Sequence, residues 1–278
     1  LTRSAEAWCI RDYNVLEAFA AVFKNETGWQ NRPAGVGKAD LKPFVEKGYI
    51  PLLVSNVTDF SGSTADGSLY GASHTLEYSY SSAAAAQFAK ALGKTNDYKI
   101  LMRQSHGWEN LFDPGTGFIR PKDLNGKFVA DFNPLKPWGG FQEGNSYQYT
   151  FYVPHDPAGL IHKIGLEKFQ KRLSDVFHSA EKSQFGGGEN IDSFSGLENV
   201  YNQGDEPSIE IPWLFNYCGQ PWLAQYWVRR ICDVFYGADP VHGYGYGQDE
   251  DQGQIGGWYV LAAMGLFGIG YVLENRWA

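Results

Sequence analysis

The stretch TLEYSYSSAAAAQFAKALG, residues 75–93, is the strongest structural signal in the chain. Four consecutive alanines among straight-chain and small residues favour helix over strand, since Ala has the strongest helix propensity. Gly93 stands where a helix commonly ends in a left-handed residue. A helix over 75–92 follows. On its N-terminal side, residues 5–23 place Trp8, Val15, Leu16, Phe19, Val22 and Phe23 at helical spacing, with a break near Asp12. On its C-terminal side a second helix is expected over 96–112, stopped by Asp113-Pro114-Gly115, and others over 145–153, 157–164 and 166–180. Pro207 and Pro221 suit first-turn positions of helices over 207–217 and 221–236, and a last helix covers 252–267.

Between them lie long Gly, Pro and Ser loops at 28–48, 60–71, 184–201 and 237–247, and a small hairpin is expected within 116–144. Helix, long loop, helix recurs without convincing strands. No fixed-period repeat is visible, which argues against a solenoid. The expected class is all-α, an α/α toroid whose loops build a pocket at one end, in a single domain over 1–278.

The 278 residues carry 23 Lys and Arg against 31 Asp and Glu, a formal charge of −8. Nucleic acid or an anionic membrane surface calls for a basic face, so neither partner is expected. Apolar residues at 43% suffice for a sizeable core. Aromatics reach 16% of the chain, a mild pointer to sugar handling, because pyranose C–H faces stack on aromatic rings. No run approaches the roughly 18–20 apolar residues of a membrane span.

The chain opens Leu1-Thr2-Arg3-Ser4 and is expected to be a fragment or a processed chain. Asn25-Glu26-Thr27 and Asn56-Val57-Thr58 match the N-glycosylation acceptor pattern, so Asn25 and Asn56 are candidate acceptors and a secreted or secretory-pathway protein is expected. Cys9, Cys218 and Cys232 lack metal-site spacing, and their odd number leaves one thiol free or paired outside the chain.

Three acidic constellations could carry chemistry. Glu143 lies in Gly139-Gly140-Phe141-Gln142-Glu143-Gly144-Asn145 at a loop-to-helix junction, where a carboxylate also suits the helix dipole. Asp205 and Glu206 precede a helix, and Asp205 is equally a helix-cap residue. Asp249-Glu250-Asp251 precede the most apolar helix, either as a solvated cap or as a site. In an extended segment Asp249 and Asp251 point the same way, and like charges so placed raise one pKa or recruit a cation or water. His155-Asp156 is a hydrogen-bonded pair or an ordinary loop contact. No GxSxG nucleophile motif and no phosphate-binding loop occurs. A lone carboxylate opposite a carboxylate pair is what glycoside hydrolysis needs: an acid protonates the leaving oxygen while a base activates water on the opposite face.

Taken in order, several motifs resemble glycoside hydrolase family 92, calcium-dependent exo-acting α-mannosidases. They are Lys47-Gly48-Tyr49-Ile50-Pro51, Ser73-His74-Thr75-Leu76-Glu77-Tyr78, Glu143-Gly144-Asn145-Ser146-Tyr147-Gln148-Tyr149, Val153-Pro154-His155-Asp156 and Gly204-Asp205-Glu206-Pro207. Ile211-Pro212-Trp213-Leu214-Phe215-Asn216-Tyr217 and Asp249-Glu250-Asp251-Gln252-Gly253-Gln254 continue the series. The resemblance implies an (α/α)6 barrel, incomplete in this chain, and an inverting removal of terminal α-linked mannose from oligosaccharides or glycoproteins. It implies Glu143 as general acid and Asp249 with Asp251 as the base that handles water. Asp205, Glu206, Asn145, Gln148 and His155 would contact substrate, and a Ca²⁺ ion with unassigned ligands would hold sugar hydroxyls. Family members are much longer, with an N-terminal β-sandwich domain that is the expected partner of this chain. The alternatives are an inactive mannan-binding or structural glycoprotein on the same barrel, or another α/α-toroid glycosidase of the glucoamylase kind.

Overall fold

A computed structural model describes residues 13–30, 36–53, 62–186, 196–237 and 253–266. The chain divides into two compact units, 1–112 with 120–130 and 270–278, and 113–119 with 131–269.

The first unit is built on the alanine-rich helix. Helix α1 is Val15–Thr27, capped by Asn14, whose side chain accepts from the Glu17 amide. Helix α2 is Leu41–Lys47 and ends at Gly48, left-handed with φ 78°. This helix lies inside a stretch expected to be loop. Pro43 falls in the first turn, where a missing N–H breaks no helical bond. A two-residue hairpin follows, β1 (Ser63–Thr64) against β2 (Gly67–Ser68). Helix α3 runs Gly71–Ala91, four residues earlier than its composition suggested, and the expected stop stands, with Gly93 at φ 70°.

Helix α3 can start early because its hydroxyls are engaged locally. Thr75 donates to the Gly71 carbonyl at 2.6 Å and accepts from the Ile50 amide at 2.9 Å. Its alanines let partners approach: Ala85, Ala86 and Ala89 form a core with Phe19 of α1 and Leu101 of α4 (Thr95–Ser105). Burying a large apolar side chain contributes about 1.5–3 kcal/mol, so Phe19 and Leu101, at 2% and 0% exposure, anchor the two flanking helices. The helix expected over 96–112 stops at Ser105 and continues as a 3₁₀ turn, Gly107–Leu111.

The second unit contains helices α5 (Ser146–Thr150), α6 (Pro157–Ile164), α7 (Leu166–Lys182), α8 (Pro221–Val234) and α9 (Gln254–Ala263). A second small sheet pairs β3 (Phe112–Asp113) with β4 (Phe118–Ile119); β3 precedes the 116–144 stretch expected to hold a hairpin, and within that stretch Lys122 and Phe128 form an isolated antiparallel bridge. Helix α7 is amphipathic at the spacing of a core-facing helix, burying Phe169, Leu173, Val176, Phe177 and Ala180. Phe177 sits 5.5 Å from Trp227 of α8, 5.0 Å from Tyr201 and 5.6 Å from Phe215, ring centre to ring centre. The helix expected over 207–217 is instead two 3₁₀ turns, Glu206–Ser208 and Ile211–Asn216. Pro207 and Pro212 each open one of them, since a proline inside a continuous α-helix would remove a backbone bond. The described structure is helix-rich with only two-residue strands. No described helix is long and apolar enough to cross a membrane.

Candidate functional site

Glu143 is half-buried and holds φ 54°, the left-handed region that a residue with a Cβ enters at a cost of order 1–3 kcal/mol. Its surroundings over-determine that conformation. The Trp138 amide donates to the Gly144 carbonyl at 3.2 Å, and the Tyr149 hydroxyl donates to the Gln142 carbonyl at 2.8 Å. Gly144 has no room for a side chain, because a Cβ there would lie 2.8 Å from Gln148 Oε1 and 2.9 Å from Tyr149 Cε2.

The residues after Glu143 fix the loop. Asn145 caps α5 in a capping box with Gln148: its side chain accepts from the Tyr147 and Gln148 amides, and Gln148 Oε1 accepts from the Asn145 amide. Both amide nitrogens then reach across to another loop. Asn145 Nδ2 donates to the carbonyls of Leu197 and Asn199 at 2.7 and 2.8 Å, while Gln148 Nε2 donates to those of Gly196 and Asn199 at 3.0 Å each. The resemblance implied substrate contact for Asn145 and Gln148; here both side chains are fully buried and hold the backbone that frames Glu143. The Ser146 hydroxyl donates to Ile119 O at 2.6 Å, tying α5 to β4.

Helix α5 also packs against the 3₁₀ turn that begins at Glu206, so the Glu143 loop and the Asp205-Glu206 segment belong to one neighbourhood. Asp205 is buried and Glu206 half-buried, with Glu210 buried one turn on. Asp205 caps by its backbone: its carbonyl accepts from the Ser208 amide at 2.9 Å, with no side-chain cap. The approach to these acids is constrained. Gln184, Phe185 and Gly186 are all left-handed, at φ 50°, 57° and 91°, and the Phe185 carbonyl accepts from the Gln203 amide at 2.8 Å. A Cβ on Gly186 would lie 2.4 Å from Asn202 Oδ1, which is why this position demands glycine. Burial pushes the Tyr201 hydroxyl well above its usual pKa, helped by Tyr236 and Cys232, so it remains a hydrogen-bond donor at ordinary pH.

Asp249, Asp251 and Asn56 lie outside the described residues, as does Cys9. Gly253, left-handed at φ 78°, opens α9. Helix α9 is bonded to the segment that follows Glu206: Trp258 Nε1 donates to the Ile209 carbonyl at 2.9 Å. His155 is buried, and its neighbour Asp156 caps α6, accepting from the Gly159 amide at 2.9 Å. Asn25 is exposed in the last turn of α1. Cys218 and Cys232 are free buried thiols, and burial raises the pKa of both.

Sequence reasoning missed a polar cluster in the first unit. Asp40, with no exposed surface, accepts from His74 Nδ1 at 2.7 Å, from the Tyr78 hydroxyl at 2.6 Å and from the Ser63 hydroxyl at 2.9 Å. Burial alone would raise the Asp40 pKa, but the His74 bond and charge, with the Tyr78 and Ser63 bonds, hold it below the ordinary aspartate value. His74 belongs to the Ser73–Tyr78 motif. Asp40, 34 residues earlier in a Gly/Pro-rich stretch, gave no local signal.

Among the described residues no group of three or more His, Cys, Asp or Glu side chains is placed to hold a metal ion.

The chain resembles known proteins both in sequence and in fold. Two are solved enzymes of Bacteroides thetaiotaomicron. One is the family GH92 alpha-mannosidase BT3965, 31% identical with a TM-score of 0.72 over 93% of this chain and 30% of that one. The other is the family GH92 inverting mannosidase BT2199, 27% identical with a TM-score of 0.69 over 91% of this chain and 33% of that one. The chain is also 29% identical over 262 residues to an uncharacterized secreted glycosidase of Arthroderma benhamiae. The match covers 83% of this chain, which spans 29% of that relative's length. The family profile described as the glycosyl hydrolase family 92 catalytic domain matches residues 3–274, and the chain belongs to that family.

Proposed function

We propose that this chain carries the general acid of an inverting exo-α-mannosidase, built on an (α/α)6 toroid, that removes terminal α-linked mannose from glycans. Family membership supports hydrolysis of a glycosidic bond, and the solved relatives named as mannosidases support the sugar. The observation that carries the reading is Glu143 itself, a half-buried carboxyl held left-handed by a loop that buried amides brace. Strain of that kind persists where the surrounding structure needs the side chain in one place.

In this reading Glu143 is protonated before reaction and gives its proton to the glycosidic oxygen as the bond to the anomeric carbon breaks. Asp249 and Asp251 position a water and take its proton as its oxygen attacks the opposite face. Asp205, Glu206 and His155 would bind the sugar, with Asn145 and Gln148 positioning the acid. Secretion fits the relative described as a secreted glycosidase, with Asn25 and Asn56 as acceptors.

The test uses the full polypeptide that carries these residues, with an α-linked mannobiose. Glu143→Gln removes the proton but keeps the shape, and kcat is expected to fall by about 10²–10⁴, the usual span of general acid catalysis. Full activity in that variant would overturn the assignment. Calcium dependence is a separable part of the proposal: chelation with EDTA is expected to lower turnover and added calcium to restore it.

A further inference from the structure

The segment bearing Glu206 and the helix that follows Asp249 and Asp251 in the chain are joined by a series of hydrogen bonds that is buried at Tyr201 and Gln203 and part-buried at Tyr236. The Tyr201 hydroxyl donates to Gln203 Oε1. Gln203 Nε2 donates to the Tyr236 hydroxyl at 2.9 Å, and that hydroxyl donates in turn to the Ile255 carbonyl at 2.9 Å. Tyr201 and Gln203 have no exposed surface. Gln203 precedes Asp205 by two residues, and Ile255 follows Asp251 by four. The Tyr236 ring stacks on Trp258 at 5.8 Å with an interplanar angle of 11°, and Trp258 closes a second bond onto Ile209.

Each bond in this series runs in the sense its chemistry allows. The Gln203 amide presents its oxygen to a phenol and its nitrogen to a phenol oxygen. Tyr236 both accepts and donates, and Ile255 accepts at the first turn of α9. A directional relay of this kind permits one register between the two segments, because sliding either leaves buried polar groups unpaired, at about 1–3 kcal/mol each. A core serving stability alone could place Phe and Met here with equal packing.

We infer that Tyr236 and Gln203 are positioning residues for the hydrolysis, setting the spacing between the Asp205-Glu206 segment and the helix that follows Asp249 and Asp251. The inference rests on the proposed mannosidase reading. It predicts an effect on catalysis out of proportion to the effect on stability. Tyr236→Phe keeps the ring, its stack on Trp258 and the fold, and removes one hydroxyl.

The experiment measures kcat, KM and the pH profile of kcat/KM on an α-linked mannobiose for the full polypeptide and for Tyr236→Phe, Gln203→Met and the double variant. The expected result is a fall in kcat of about ten-fold or more in each single variant with KM within two-fold. The acidic limb of the profile should shift, and the double variant should be no worse than the poorer single one. Thermal unfolding of the same samples counts only folded protein. Should Gln203→Met fail to fold, Trp258→Phe, which removes the Ile209 bond while keeping a ring, is expected to give the same split. Unchanged kcat and pH profile in folded Tyr236→Phe would overturn the inference, as would losses that simply multiply in the double variant. A wild-type protein releasing no mannose would instead overturn the mannosidase reading, which keeps the two failures distinct.

Discussion

Glu143 and Asp40 are acids that the same chain treats in opposite ways. Glu143 sits on a left-handed backbone and half in solvent, a poor choice for stability. Glycine has no Cβ penalty in that region, so Glu143→Gly is expected to hold or raise stability, by up to about 1 kcal/mol, while abolishing turnover. Denaturant midpoints measured beside activity check both halves. Asp40 is fully buried and satisfied by three donors, which hold its folded pKa below that of the unfolded chain. Its contribution is therefore present above the ordinary aspartate pKa of about 3.9 and lost as pH falls through the lower folded value. The expected outcome is a Tm deficit of Asp40→Asn relative to the parent that is large at neutral pH and shrinks on acidification below pH 4. A deficit independent of pH would contradict it.

At the scale of elements, capping decides where the candidate acid stands. Asn145 closes a capping box and also bonds two carbonyls of the 196–199 loop. Replacing it with Ala removes the cap and the bond to the carbonyl of buried Leu197, while the Asn199 carbonyl keeps its bond from Gln148, so a loss of about 2–4 kcal/mol is expected. Thermal or denaturant unfolding would measure it, and a loss under about 0.5 kcal/mol, the scale of an ordinary surface substitution, would show the bonds to be dispensable. Legibility followed the same physics. Helix α6 is readable to the residue because Pro157 and Gly165 bracket it; α3 is readable in its body and at its end, where its alanines and Gly93 leave few alternatives, but not at its start, four residues before Thr75. Helix α2 was hidden by the glycines and proline around it. The 3₁₀ turns at 206–216 read as one helix because local pattern does not separate a 3.0 from a 3.6 period over so few residues. The tiny strands contribute too few residues for alternation to register.

For the whole molecule, ordered motifs rather than composition made the family legible, and the family profile spans residues 3–274. The candidate acids stand out in the sequence as residues of ordered motifs. Their supports were not readable, because Asn145 and Gln148 meet carbonyls about 50 residues away, and Tyr236 meets Gln203 33 residues away. Such pairings arise only once helices pack. The −8 charge, first a reason to set aside nucleic acid, includes the acids the proposed chemistry uses. That chemistry is direct hydrolysis by water, with Glu143 on one face of the scissile bond and the Asp249–Asp251 pair on the other. Proton NMR of an α-linked mannobiose during the first minutes of digestion by the full polypeptide reads the outcome at the anomeric carbon itself. β-Mannose is expected as the first product, with the α anomer growing in only by mutarotation. Initial release of α-mannose would exclude direct attack by water and overturn the assignment of the two faces.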